Sequence, residues 1–183
     1  MVLYLLYVQC DLDGVSSIRL RPDTNICLSV RNPLSDYEIR ERVAFNLQET
    51  VLQDEGSREP PHHFSLSWDG AKKHSTIVVL DDAATKTALK KAKKKKLPGG
   101  EFSYLTYTSE HSGMPIPILA LECRGLEPYA FHCLGSDQFI VESMGGVKFE
   151  SDIDFTDGDW AEYDEENDAS VSVEKFVVKI ESF

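Results

Sequence analysis

Cysteine and histidine side chains are the first candidates for chemistry in this chain, because zinc in proteins is bound mainly by sulfur and nitrogen atoms. The four cysteines are Cys10, Cys27, Cys123 and Cys133, and no two of them form a Cys-x-x-Cys pair. Their spacing matches neither a zinc ribbon nor a disulfide framework. Apolar residues lie beside them, which predicts buried free thiols in a reducing compartment.

A second metal hypothesis uses Cys123, His132 and Cys133, which would have to converge across a hairpin. His132 and Cys133 are adjacent, and adjacent side chains on a strand point to opposite faces of the sheet. The spacing therefore does not require a site, and surface histidines with core thiols is the simpler interpretation. Zinc bound by these three residues stays open as the alternative to a metal-free protein.

Oxygen ligands suited to calcium are concentrated in Asp152-Ile-Asp-Phe-Thr-Asp-Gly-Asp159. This segment fails the EF-hand template, because aligning Gly158 with the loop glycine places apolar residues at the first two acidic ligand positions. We expect a solvated acidic C-terminal loop that aromatic and aliphatic side chains hold against the core. Those side chains are Ile153, Phe155, Trp160 and Tyr163.

Catalytic motifs are absent from the sequence. It contains neither a Gly-x-Ser-x-Gly nucleophile motif nor a glycine-rich phosphate loop. The carboxylates of the acidic segment are expected to be exposed, and they would lack the burial that shifts a pKa toward a catalytic value. We therefore predict that the protein is not an enzyme and has no catalytic residue.

Charge argues against nucleic acid as a partner. The chain has 183 residues, a net charge of -12 and 42% hydrophobic residues, so it can build a core but lacks an overall cationic surface. Ten acidic residues and no basic ones lie between 150 and 168, and seven lysines and no acid lie between 86 and 96. We interpret both runs as solvated segments.

Short alternating or β-branched runs predict an all-β fold, a β-sandwich or barrel-like single domain over residues 1–183 with about eight to ten strands. The clearest strand patterns are Val2–Cys10, Asn25–Val30, Tyr37–Gln48, Phe64–Trp68, His74–Leu80, Pro115–Leu121, Phe139–Val141 and Val171–Ile180. The apolar N-terminal run lacks the basic start of a signal peptide and is too short to span a bilayer. We expect a soluble protein without a membrane partner.

The lysine run interrupts the β pattern. Ala, Leu and Lys favour a helix, yet Lys86 to Lys96 has too few apolar residues for a face that could be buried. We predict a mobile lysine-rich insertion loop over about residues 81–101.

Two motifs give the chain a family resemblance: Glu122-Cys-Arg-Gly-Leu-Glu-Pro128 and Asp159-Trp-Ala-Glu-Tyr-Asp-Glu165. With them, the part from about Leu119 to Ile180 resembles the CXXC-motif-containing zinc-binding proteins, domain-of-unknown-function family 866. The resemblance implies an all-β protein of the cytoplasm, or also of the nucleus, with a zinc site that ties two parts of the sheet together. It implies no established reaction.

The resemblance also implies where the zinc ligands would lie. The first Cys-x-x-Cys pair would fall near Arg31 and Leu34, and the second near Trp68 and Ala71. None of these four side chains can bind zinc. We infer that this member has replaced the metal with ordinary packing and turn chemistry, and that Trp68 fills the space.

The first motif has a physical interpretation as a structural corner. Gly125 can adopt a positive φ, Pro128 fixes the exit of the turn, and Arg124 can form charge-assisted bonds with Glu122, Glu127 or the acidic tail. A corner of this kind would lock the tail against the sheet, and it could also bind a partner. The candidates for binding a protein partner are Glu122, Arg124, Gly125, Glu127, Pro128, Asp159, Trp160, Tyr163 and Asp164. We predict a monomeric binding or interaction protein that has no cofactor.

Overall fold

The apolar N-terminal run forms β1 (Val2–Asp13), the strand around which the largest sheet is built. Its even-numbered side chains, from Tyr4 to Cys10, face the main core, because successive residues of a strand point to opposite faces. Leu5 faces the other side and belongs to a second, smaller cluster with Leu80 and Ala120. β1 thus contributes to two apolar layers at once.

The computed structural model describes residues 1–35, 37–51, 61–92 and 106–183. After β1, the strands are β2 (Val15–Leu20), β3 (Asn25–Arg31), β4 (Ile39–Asn46), β5 (Phe64–Leu66), β6 (Ser75–Leu80), β7 (Tyr107–Thr108), β8 (Ile116–Arg124), β9 (Glu127–His132), β10 (Phe139–Ser143), β11 (Lys148–Phe149), β12 (Trp160–Asp164) and β13 (Ala169–Ser182), and one helix, α1 (Asp82–Ala92), follows β6. The described residues therefore form 13 strands, more than the eight to ten predicted.

Three antiparallel sheets make up the fold. The first has the order β12-β13-β1-β8-β6-β5, the second β11-β10-β2-β7 and the third β4-β3-β9. The sheets curl into a half-barrel, which confirms the predicted all-β, barrel-like fold class. The two sequence motifs lie in different regions of this fold. Most of the second motif is on β12, an edge strand of the largest sheet, whereas the first motif lies where β8 of that sheet leads into β9 of the third sheet.

The prediction of a loop after β6 was wrong for residues 82–92, which form α1. The side-chain Oδ1 of Asp81 accepts a hydrogen bond from the Ala84 N–H at 2.7 Å, and this caps the first turn. Ala84, Ala88 and Leu89 pack on the cluster around Leu5, so the helix does bury an apolar face. The remainder of the predicted loop, residues 93–101, lies outside the described residues.

α1, with 11 residues, has neither the length nor the apolar character to cross a membrane, and the rest of the described chain contains no helix that does.

The acidic C-terminal segment is a loop only up to Asp159, because Trp160–Asp164 pairs with β13 as strand β12. Ile153 and Phe155 are buried, as predicted, and the Trp160 ring meets Phe155 edge-on at 6.5 Å between centroids. Tyr163 was predicted to be buried but is 46% exposed, because alternation along β12 turns it to solvent.

Candidate functional site

Two turns meet where the family resemblance placed the zinc ligands. One follows β3 and is closed by a hydrogen bond from Ser35 N–H to the Asn32 carbonyl at 3.2 Å. The other follows β5 and is closed by a hydrogen bond from Ala71 N–H to the Trp68 carbonyl at 3.1 Å. Each turn joins residues three positions apart, which is the spacing of a Cys-x-x-Cys pair.

Both turns border a single cavity of about 710 Å³, here called the turn cavity. Leu34, Trp68 and Ala71, three of the four positions implied by the resemblance, line it, together with Arg124 and Gly125 from the first motif. The fourth position, Arg31, is not part of the lining and forms an ion pair with Glu127 at 2.9 Å.

A carboxylate connects the two turns. The Asn32 side-chain Nδ2 donates to Glu38 Oε2 at 2.6 Å, and the Asp69 backbone N–H donates to Glu38 Oε1 at 3.0 Å. The Asn32 Oδ1 in turn accepts from the Leu34 N–H at 3.0 Å, which orients the amide. We call this arrangement the Glu38 bridge. It ties together the two turns at which the family resemblance implies the zinc ligands.

Trp68 forms the floor of the turn cavity and is only 5% exposed. Its indole Nε1 donates to the Gly125 carbonyl at 2.8 Å, and the Ser75 hydroxyl donates to the same oxygen at 2.8 Å. The Arg40 guanidinium lies 5.4 Å from the Trp68 ring centroid, a cation–π distance. The turn after β5 is thereby fixed to the first motif.

Gly125 adopts a φ of +67°, so the predicted positive φ is observed. A Cβ at this position would lie 2.6 Å from the Ser75 hydroxyl oxygen. Arg124 pairs with Glu122 at 3.4 Å. The corner therefore contacts Ser75, Trp68 and, through Glu127, β3, rather than locking the acidic tail as predicted.

The rim of the turn cavity is cationic. Lys72, Lys73 and Arg124 line it together with His62 and His74, and none of the described lining residues is Asp or Glu. Lys72 and Lys73 are exposed, and neither forms an ion pair within the described parts of the chain. A chain with a net charge of -12 thus has a local region suited to anionic groups.

Residues 5–181 match the eukaryotic family described as CXXC motif containing zinc binding protein. The chain belongs to this family. Among family relatives, the "UPF0587 protein CG4646" of Drosophila melanogaster is 36% identical over 73 residues, or 40% of this chain. That match spans 44% of the relative's own length.

Two solved structures share the fold of this CXXC-family member. A hypothetical protein from Plasmodium falciparum superposes with a TM-score of 0.78 at 20% identity, over 99% of this chain and 100% of that one. The crystal structure of C1orf123 gives a TM-score of 0.74 at 20% identity, over 99% of both chains. At this identity the two similarities establish the fold alone.

The turn residues of this CXXC-family member do not fit a zinc ion. Leu34, Trp68 and Ala71 provide no sulfur, imidazole or carboxylate ligand. The imidazole of His74 lines the same cavity, but its Nδ1 is 2.9 Å from the Ser67 hydroxyl, with which it shares a hydrogen bond. Within residues 1–35, 37–51, 61–92 and 106–183, no three His, Cys, Asp or Glu side chains are placed to hold a metal.

The alternative zinc ligands of this family member do not form a group either. Cys123 is 1% exposed in the core, and burial raises the pKa of its thiol to about 12. His132 Nε2 lies 2.7 Å from the Ser29 hydroxyl, and burial raises the pKa of Cys133. The Asp152–Asp159 segment likewise forms no metal group, and Asp154 Oδ1 accepts a hydrogen bond from the Thr156 N–H at 2.8 Å.

Side chains of the second motif form hydrogen bonds within their own region of the family member. Asp159 Oδ1 accepts from the Lys175 N–H at 2.9 Å, at a bulge where Lys175 has a φ of +53°. Asp164 is buried and accepts from the Ser143 hydroxyl at 2.6 Å, and this bond together with those from Asn167 lowers its pKa. The Tyr163 hydroxyl donates to Asp168.

Sequence reasoning missed Glu38, Asn32 and Ser75, which hold the turns together. Nothing in the local sequence pattern marks Glu38, because one of its hydrogen-bond donors, the Asp69 N–H, lies 31 positions further along the chain. The Lys72-Lys73 pair, one residue after Asp69-Gly70, could have indicated an exposed cationic turn.

Proposed function

We propose that this protein is a non-enzymatic binding protein that recognises a protein partner at the turn cavity and folds without zinc. The observation that carries the proposal is the Glu38 bridge, which joins by hydrogen bonds the two turns at which the family resemblance implies zinc ligands. A cavity with an apolar floor and a few convergent polar groups is the usual form of a binding site.

The cavity is a better candidate for partner binding than the second motif. Asp159, Trp160 and Asp164 are held in bonds and ring contacts within their own region. Lys72 and Lys73, by contrast, are exposed and form no ion pair with the described residues. Exposed charges without a partner in the monomer are available to another molecule.

The setting of Ser67 and His74 supports the proposal of a non-enzymatic protein. Ser67 and His74 share a hydrogen bond at 2.9 Å, which is the distance expected of a nucleophile and its base. Both side chains are exposed, and no carboxylate among the described residues is bonded to the imidazole. The pair therefore lacks the orienting group and the desolvated setting that a serine nucleophile needs.

We further propose that the protein acts as a monomer in the cytoplasm, with the nucleus as a second location. Buried free thiols fit a reducing compartment: Cys10, Cys27 and Cys123 are each at most 3% exposed.

The experiment is an affinity purification from cell extract with chelator-treated bait, in three forms. The wild type is compared with Lys72→Glu/Lys73→Glu, which reverses the rim charge, and with Glu165→Gln/Glu166→Gln, which neutralises exposed carboxylates after β12. We expect a reproducible partner that is lost from the first variant and kept by the second. A partner that depends on the acidic residues instead, or that binds only zinc-loaded protein, would contradict the proposal.

A further inference from the structure

The charge of the turn cavity is opposite to the charge of the molecule. The chain carries 31 acidic and 19 basic residues, yet the described lining contains Lys72, Lys73 and Arg124 and no carboxylate. Asp69 lies in the same turn as the lysines but is not part of the lining, and two further acidic side chains nearby are already engaged. Glu38 accepts two hydrogen bonds, and Glu122 is paired with Arg124. The free positive charge of the rim therefore comes from the two lysines.

Beneath this rim the cavity is apolar. Trp68 is fixed by its bond to Gly125, and Ala71 and Val78 add further apolar lining. Leu34 also lines the cavity, with 94% of its surface exposed, so it adds apolar surface that a partner can cover.

We propose that the turn cavity binds an acidic segment of a protein partner, with one apolar side chain of that segment on the Trp68 floor and its carboxylates at Lys72 and Lys73. The inference rests on the proposed function and names the chemistry of the partner. Carboxylates at an exposed lysine rim act through steering and specificity, and the buried apolar contact supplies most of the affinity.

Two observations favour a peptide over an anionic membrane. The site is concave, with a volume of about 710 Å³, which accommodates side chains rather than a flat surface. The net charge of -12 would repel an extended anionic bilayer, whereas a peptide segment contacts only the cationic rim.

The test is fluorescence polarisation with fluorescein-labelled peptides in which Asp and Glu flank a single Leu, Phe or Trp. The same peptides with Asn and Gln in place of the acids are the neutral control. Each panel is titrated with wild-type protein, with Lys72→Glu/Lys73→Glu, and with Lys148→Glu/Lys179→Glu, which reverses two exposed lysines on β11 and β13. Circular dichroism confirms that each variant is folded.

We expect the acidic peptides to bind wild type and the Lys148/Lys179 variant, with dissociation constants below about 100 µM at low salt. Reversing Lys72 and Lys73 should weaken binding about tenfold or more, and added salt should weaken binding to the wild type. Equal binding to both charge-reversed variants, equal binding of neutral peptides, or no binding below that limit would overturn the inference.

Vesicles containing phosphatidylserine are tested by sedimentation in parallel. Sedimentation of wild-type protein, lost in the Lys72/Lys73 variant and without peptide binding, would assign the cavity to membranes and also overturn the inference. If the affinity purification yields a rim-dependent partner while every acidic peptide fails, the proposed function stands and only the partner chemistry is wrong.

Discussion

Removing the Glu38 bridge should destabilise the fold by a predictable amount. The Glu38 carboxylate accepts bonds of 2.6 Å from Asn32 and 3.0 Å from the Asp69 N–H. A hydrogen bond to a charged group is worth about 1.5–3 kcal/mol. Because Glu38 is half-buried, we expect about 1 kcal/mol for each bond, so Glu38→Ala should lower the free energy of unfolding by about 2 kcal/mol.

The assay is urea unfolding followed by circular dichroism, with a metal chelator present throughout. Glu38→Gln keeps an acceptor toward Asp69 and loses the bond from Asn32, so it should cost about 1 kcal/mol. A double-mutant cycle with Asn32→Ala should give a coupling energy of about 1 kcal/mol. For a chain of this size, the loss of 2 kcal/mol corresponds to a drop in Tm of about 4–8 °C.

The matched control is Glu41→Ala, an exposed carboxylate on β4. We expect it to change stability by less than about 0.5 kcal/mol. If Glu38→Ala is as mild as Glu41→Ala, or if the cycle shows no coupling with Asn32, then hydrogen bonds do not hold the two turns together.

Three further predictions concern the same structure. Gly125→Ala should lower the free energy of unfolding in urea by about 2–4 kcal/mol, because it combines a positive φ with a close contact. Gly146→Ala, at a φ of +88° with open space around it, should cost only about 1 kcal/mol, and equal losses would show that the contact at Gly125 does not contribute. Trp68→Phe should cost about 1–2 kcal/mol in the same assay, because the bond to the Gly125 carbonyl is lost; an unchanged midpoint would contradict this. Burial lowers the pKa of His63 and of His111 below the ordinary 6.5, so as the pH falls the unfolded chain binds these protons before the folded chain does. The stability that the two histidines contribute is therefore present above a pH of about 6.5 and is lost as the pH falls through their pKa values in the folded protein. Urea midpoints measured from about pH 7.5 to about pH 5 should fall, less steeply in His63→Gln, and a flat profile would refute the assignment.

Alternation and β-branching were enough to predict most strands, because β1, β3 and β6 each bury one face or both. They failed where tertiary contacts decide the structure. α1 is stabilised by a cluster on the outer face of the sheet, and that face is unknown before the sheet is assembled. β2 was missed, because its two buried side chains, Val15 and Ile18, are three positions apart and do not alternate as in a regular strand.

The candidate site could be predicted only in part from the sequence. Three of the four positions that the family resemblance implied, Leu34, Trp68 and Ala71, line one cavity, although no cysteine marks them. The bonds that hold the turns could not be predicted, since they link residues far apart in the chain, as between Trp68 and Gly125. Short-range pattern carries no information about such pairs.

The most direct test of the central claim is the metal content of the protein, purified without a histidine tag or added metal and measured by elemental analysis together with its melting curve. A chain whose turns are joined by the Glu38 bridge should contain far less than one zinc per molecule and should melt cooperatively at the same Tm with and without a chelator. Close to one zinc per chain, with a Tm that falls when the metal is removed, would contradict the account, because metal binding to the native state would then be a source of its stability.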